Sequence, residues 1–215
     1  MTEYPEAKQI AEILAAANSV VIMQADNPDG DSLGSALALE QILGDLGKEP
    51  YLYCGVDIPT YLRYLPGWDR VQKELPKQFD TSVIVDTSAL SLFENLERSA
   101  QKQWVASKPC IIIDHHDVEA SIPFASVVCN YPAVSTGEVI YELTEQLDWK
   151  TNQTSLEMLA ISILSDSMGL VSEATTGRSI RIMAELVDKG VRLAELENKR
   201  REMMRKSPEL VRYKG

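Results

Sequence analysis

Histidine is the scarcest functional residue of this chain: two in 215 residues, and the two are adjacent, His115 and His116. Scattered surface histidines would be the ordinary outcome, so the pairing points to metal or acid/base work. Cysteine is nearly as rare. Cys54, Cys110 and Cys129 each sit in or beside an apolar run, and none forms a Cys-x-x-Cys pair. An odd count placed this way reads as reduced thiols rather than a disulfide framework. Positive charge is in deficit: 21 lysines and arginines face 32 acidic residues, a net charge of -11. That argues against general duplex nucleic-acid binding, which needs a basic surface to displace counterions. A phosphate-bearing substrate would have to be met largely by metal ions. No apolar run approaches the length of a membrane span, and residues 1–8 are mixed and acidic rather than a basic-then-apolar leader. No membrane partner and a cytoplasmic location are expected.

What is present is ordinary for a folded protein, with 45% hydrophobic and 25% charged residues, enough to bury a core. A helix over 3–17 carries Ile10, Ile13, Leu14 and Ala17 on one face. Apolar runs predict strands at 19–25, 51–54, 81–86, 110–113 and 126–129. A helix starts near Ser32 and ends at Gly47, with Leu33, Ala36, Leu37, Leu43 and Leu46 as its inner stripe. Residues 58–79 read as a connection, and 92–104 as a helix anchored by Leu92, Leu96 and Trp104. From Ser135 the chain turns helical; Thr176 caps a helix that runs to Gly190. Strands alternating with helix-length spacers predict an α/β fold: a doubly wound, mostly parallel five-stranded sheet flanked by helices, with a helical C-terminal part. Residues 1–190 are expected to form one domain. Residues 191–215 read as a charged helix, strongest over 193–206, or the start of a linker. Its Lys199-Arg200-Arg201 and Arg205-Lys206 favour a solvated face or connector over a substrate patch.

Chemistry-bearing residues gather where apolar runs end. Asn27-Pro28-Asp29-Gly30-Asp31-Ser32-Leu33-Gly34-Ser35 follows the first strand, Asp86 closes the third, Asp114-His115-His116 follows the fourth, and Asp166 comes after the apolar stretch 159–164. In open parallel sheets the carboxyl ends of the strands line the ligand crevice. Four separated pieces of chain therefore offer carboxylate or imidazole to one place, which suits a hard or borderline divalent cation. The Pro-Asp-Gly-Asp loop reads equally as a tight turn with Asp31 capping the helix. Gly34-Ser35 permits close approach of a neighbouring backbone or of a phosphate. Side chains of adjacent residues diverge after a strand, so one histidine can ligate while the other faces a substrate, with Asp114 orienting one imidazole.

The set PDGDSLGS, VDTS, IIIDHH and LSDSMG, in this order and spacing, resembles the four motifs of the DHH family of phosphoesterases, across roughly residues 18 to 190. The following GRSIRIMAELVDKG is similar to the oligoribonuclease and phosphoadenosine-phosphate phosphatase branch, and the Asp-Ser pair of the first motif resembles family II inorganic pyrophosphatases. The resemblance implies a two-metal hydrolase, usually using Mn2+, with Mg2+ or Co2+ as alternatives. By motif position Asp29 would bind one ion, Asp31, His115 and Asp166 the other, with Asp86 between them. His116 would contact the scissile phosphate and help the leaving group depart, with Asp114 behind it. Implied partners are small nucleotides or short single-stranded RNA: oligoribonucleotides, pApA-type dinucleotides or 3'-phosphoadenosine 5'-phosphate. An inorganic pyrophosphatase and a catalytically impaired nucleotide-binding module are the alternatives, and a homodimer is left open.

Two departures from the family pattern stand out. The histidine expected three residues before the proline is Ala25 here, so the first ion loses its imidazole, and Asp26 or Gln24 is the nearest substitute. The chain also stops at Tyr213-Lys214-Gly215, about where the family's linker to a C-terminal substrate domain would start. The expectation is retained metal binding with poor substrate affinity.

Overall fold

Strands that are apolar at nearly every position must be covered on both faces. The computed structural model, which describes residues 2–207, places five of them in a single parallel sheet. Strands β1 (Ser19–Gln24), β2 (Glu49–Cys54), β3 (Thr81–Val85), β4 (Cys110–Asp114) and β5 (Val127–Asn130) are arranged β2-β1-β3-β4-β5, every neighbouring pair parallel. The doubly wound α/β architecture is the one the strand and helix spacing predicts. Strand order reverses between β1 and β3, which opens a crevice at their carboxyl ends. Pro50 lies in β2, an edge strand, where a missing N–H is tolerated. Residue 72 extends that edge, with Gln72 N donating to Leu52 O and Cys54 N donating to Gln72 O, both at 3.0 Å.

Among the described residues eight helices accompany the sheet: α1 (Ala7–Ala16), α2 (Gly30–Asp45), α3 (Glu94–Arg98), α4 (Gln101–Ala106), α5 (Thr136–Gln146), α6 (Gln153–Asp166), α7 (Gly177–Asp188) and α8 (Leu193–Lys206). Alternate strand residues go to opposite cores. Val20, Ile22, Val83, Val85, Ile111 and Ile113 join residues of α1, α2, α5 and α6. Val21, Met23, Ile84 and Ile112 join Phe93, Leu96 and Val105 on the thinner side.

Helix α2 is buried nearly all round because it lies between the sheet and α6; only its far end emerges, where Leu46, expected on the inner stripe, is 36% exposed. A Cβ on Gly34 would sit 2.9 Å from Met158 O and 3.1 Å from Ser162 N. The small residue thus serves a backbone-to-backbone helix crossing, not a phosphate. The helix expected across 92–104 is two short ones. Ser99 Oγ donates to Leu96 O at 2.9 Å and accepts from Gln101 N at 3.2 Å, so one hydroxyl takes over backbone groups that a continuing helix would use. Phe93 and Leu96 are the buried anchors, whereas Leu92 is 40% exposed. The 58–79 connection holds two short 3-10 turns, Thr60–Leu62 and Trp68–Arg70. Thr176 caps α7 as expected, accepting from Arg178 N and Ser179 N. Residues 208–215, including Tyr213-Lys214-Gly215, lie outside the described residues. No helix among the described residues is long and apolar enough to cross a membrane.

Candidate metal centre

The loop after β1 divides its two aspartates between two jobs. Asp29 precedes α2 as its cap: Oδ1 accepts from Asp31 N (3.0 Å) and Ser32 N (2.9 Å), while Ser32 Oγ accepts from Asp29 N (2.9 Å). Asp31, expected as an alternative cap, sits instead in the first helical turn and is fully buried. Its Oδ1 accepts from Ser35 Oγ at 3.0 Å and Ser162 Oγ at 2.5 Å, and its Oδ2 from Thr136 N at 2.8 Å. Thr136 opens α5, so the carboxylate rests at a helix N-terminus, whose positive end favours it.

Asp86 directly follows β3 with φ +62°, a left-handed conformation that aspartate tolerates better than most residues and that concentrates at functional sites. Thr136 Oγ1 donates to its Oδ1 at 3.1 Å. Asp166 is the last residue of α6; it reaches the site from a helix, not from a strand end.

His115 joins these groups. Its Nδ1 lies 3.1 Å from Ala133 O, and because a carbonyl can only accept, Nδ1 carries the proton. Nε2 is buried and makes no hydrogen bond. It faces Asp31 Oδ2 at 3.4 Å, Asp86 Oδ1 at 3.4 Å and Asp166 Oδ2 at 3.5 Å. The ligand atoms of Asp31, His115 and Asp166 lie within 4.8 Å of one another, as do those of Asp86, His115 and His116. Two ionised carboxylates at about 4 Å repel by about 4 kcal/mol at an effective dielectric near 20, more than a typical hydrogen bond returns. Burial and the charges of Asp31 and Asp29 accordingly push the Asp86 carboxyl well above its usual range and that of Asp166 up to about 7. A divalent cation removes this conflict and uses the orphaned imidazole lone pair; hard oxygens with one nitrogen fit a manganese- or magnesium-like ion.

Beside this cluster lies a polar chain. Buried Asp114 is 2.7 Å from His116 Nδ1 through Oδ1 and accepts from Ser88 Oγ at 2.5 Å through Oδ2. Burial raises the Asp114 carboxyl, but the hydrogen bonds of His116 and Ser88 outweigh it and leave it below its ordinary value. Asp114 in turn raises His116. His116 is about half exposed. The two imidazoles lie side by side, 4.3 Å between centroids and tilted 46°; they do not diverge, since β4 ends at Asp114 and its alternation ends with it.

Asp31, Asp86, His115 and Asp166 thus converge, with Asp114 and His116 adjacent. Asp29 stands outside both candidate ligand groups. Asp26 is tied to Asn95, accepting from its N (2.8 Å) and Nδ2 (3.1 Å), and neither it nor the buried Gln24 joins the groups around His115. Ser88, Thr136 and Ser162 belong to the site as well, though the sequence pattern does not single them out. Ser88 lies in VDTS, a signal within reach; Ser162, inside an apolar helical run, offered none.

Residues 19–164 match the model of a protein family described as the DHH family, N-terminal domain. A bifunctional oligoribonuclease and PAP phosphatase NrnA of Thermus thermophilus is 30% identical over 195 residues, 88% of this chain and 56% of that protein. The protein of the same name from Bacillus subtilis is 24% identical, over 88% of this chain and 59% of its own length. The chain therefore spans less than two thirds of these relatives. An exopolyphosphatase-related protein of Bacteroides fragilis superposes with a TM-score of 0.82 at 21% identity, covering 90% of this chain and 59% of that one. A putative family II inorganic pyrophosphatase of Methanococcus jannaschii gives 0.60 at 23% identity, covering 86% of this chain and 60% of that one. Both structures are alike in fold.

Proposed function

The chain belongs to the DHH family, and from that premise we propose that it is a divalent-metal phosphoesterase hydrolysing small nucleotides: short oligoribonucleotides, pApA-type dinucleotides or 3'-phosphoadenosine 5'-phosphate. The names of the Thermus thermophilus and Bacillus subtilis relatives support the substrate class. The observation that carries the reading is His115 Nε2, unpartnered and aimed at three carboxylates.

Asp31, His115 and Asp166 would hold one ion and Asp86 would serve it and a second, for which Asp29 has a carboxylate oxygen beyond the one that caps α2. Mn2+ is the preferred metal, with Mg2+ or Co2+ as alternatives. Bound there, such ions lower the pKa of a water and offset charge on the attacking and leaving oxygens. The remaining work falls to the protein's own groups. His115 keeps its lone pair inward because Ala133 O fixes its tautomer. His116, half exposed and backed by Asp114, would donate a hydrogen bond to a phosphoryl oxygen and a proton to the departing oxygen. Ser88 holds Asp114 in register for that task.

Ala25 favours a second reading, a nucleotide-binding module whose turnover has weakened. Assays on pApA, 3'-phosphoadenosine 5'-phosphate and pyrophosphate with manganese separate the two. His115→Ala should lose metal affinity and activity together, whereas His116→Ala should retain the metal and lose about 10^2- to 10^4-fold in kcat. Full metal occupancy with no turnover of any of the three would sink the hydrolase reading in favour of the binding module.

A further inference from the structure

A cavity of about 810 Å³ opens beside the metal loop, bounded by Asp29 and Gly30 at one end and by α8 along its length. Its volume falls in the range of small-molecule sites, which combine apolar walls with a few placed polar groups. Leu164 and Leu196 supply apolar lining, and Tyr64 an aromatic wall. Burial against α8, opposed by the charge of Arg200, pushes the Tyr64 phenol up to about 12. The polar groups come from the basic run of α8, which the sequence favours as a solvated face. Glu197 takes Arg200 in two hydrogen bonds, at 2.7 and 2.9 Å, and Arg201 by its Nε alone at 2.5 Å. Among the described residues the terminal amino groups of Arg201 are unpartnered. On the α8 side two arginines face one glutamate, while the acidic Asp29 stands on the metal-loop side, so the cavity's positive charge is concentrated on α8, in a chain whose overall charge is -11.

We infer that this cavity is the nucleoside subsite: it takes the base and ribose of a nucleotide whose scissile phosphate lies at the metal cluster, with Arg201 meeting a second, non-reacting phosphate. Asp29 and Gly30 of the metal loop and Ser165, the neighbour of Asp166, line the cavity, which sets it beside the cluster. An aromatic and aliphatic lining suits a planar base, and a guanidinium with free N–H groups suits a phosphate. This inference rests on the proposed hydrolase reading for the identity of the ligand, but not for its location.

The probe is 3'-phosphoadenosine 5'-phosphate, which carries both a reacting and a non-reacting phosphate, with Ca2+ in place of a catalytic metal, followed by amide chemical-shift mapping and calorimetry. Perturbed amides are expected across 61–64 and 193–204 as well as in the metal loop. Arg201→Glu should weaken binding by about tenfold or more, the size of a lost charge-assisted hydrogen bond. Ala194→Trp, which fills the cavity from α8, should weaken it comparably, while Lys108→Ala, at the opposite end of the sheet, should not. Shifts confined to the metal loop and His115–His116, or wild-type affinity in both cavity variants, would overturn the inference. Nucleotide landing in the cavity of a protein that hydrolyses nothing supports this subsite and overturns only the hydrolase reading. Hydrolysis whose KM is unmoved in both cavity variants does the reverse.

Discussion

On the proposed reading, Ala25 is the residue on which the strength of the second metal site turns. It follows β1 directly and is 5% exposed, at the position where the first DHH motif carries its histidine. Asp26 is tied to Asn95 through Oδ2 and lies outside both candidate ligand groups. Ala25→His should therefore strengthen the weaker metal site by about tenfold or more, a ligand being worth at least as much as the outer partners of one. The effect should show as a lower manganese concentration for half-maximal activity; an unchanged or higher one would mean that Asp29 and Asp86 suffice. The two aspartates of the same loop were legible as chemistry but not as roles. Residues two apart at a helix start face differently, so one is a cap and the other a buried acid.

At the scale of elements, the site depends on how closely α2 and α6 cross. Gly34→Ala places a methyl against Met158 O and Ser162 N, backbone atoms that cannot rotate away, so the helices must part. A loss of about 1–3 kcal/mol is expected, read as a lower urea midpoint. Metal affinity should fall too, because Ser162 also holds Asp31. Helix α8 has its own dependence. Hydrogen bonds from Arg200, and with them Arg201, hold the Glu197 carboxyl down to about 2 despite partial burial. A depressed folded pKa contributes stability above the unfolded value, near 4.5, and that stability is lost as pH falls toward 2. Wild type should exceed Glu197→Gln in urea midpoint at pH 6, with the gap narrowing below pH 4.5 and closing near pH 2. A gap that persists at pH 2 would contradict the assignment.

For the whole molecule, crowded carboxylates in an acidic chain make the metal-free fold less stable than it need be. A ligand at one hundred times its Kd adds about 2.7 kcal/mol, which for a chain this long raises Tm by about 5–10 °C. Manganese should produce such a rise, EDTA should reverse it, and His115→Ala should abolish most of it. An equal rise in that variant would place the ion elsewhere.

The sequence by itself determined the strands, most of the helices and the identity of the groups that meet, since each rests on a local pattern: β-branched runs, turn residues, aspartates and histidines at strand ends. Only the tertiary structure decided that Asp29 caps while Asp31 is gripped by Ser162, 131 residues away, and by Thr136, 105 residues away. It alone set the two imidazoles side by side and turned the basic run of α8 toward a cavity. Contacts at such separations depend on how helices pack across the sheet, and packing of that kind has no short-range signature to read.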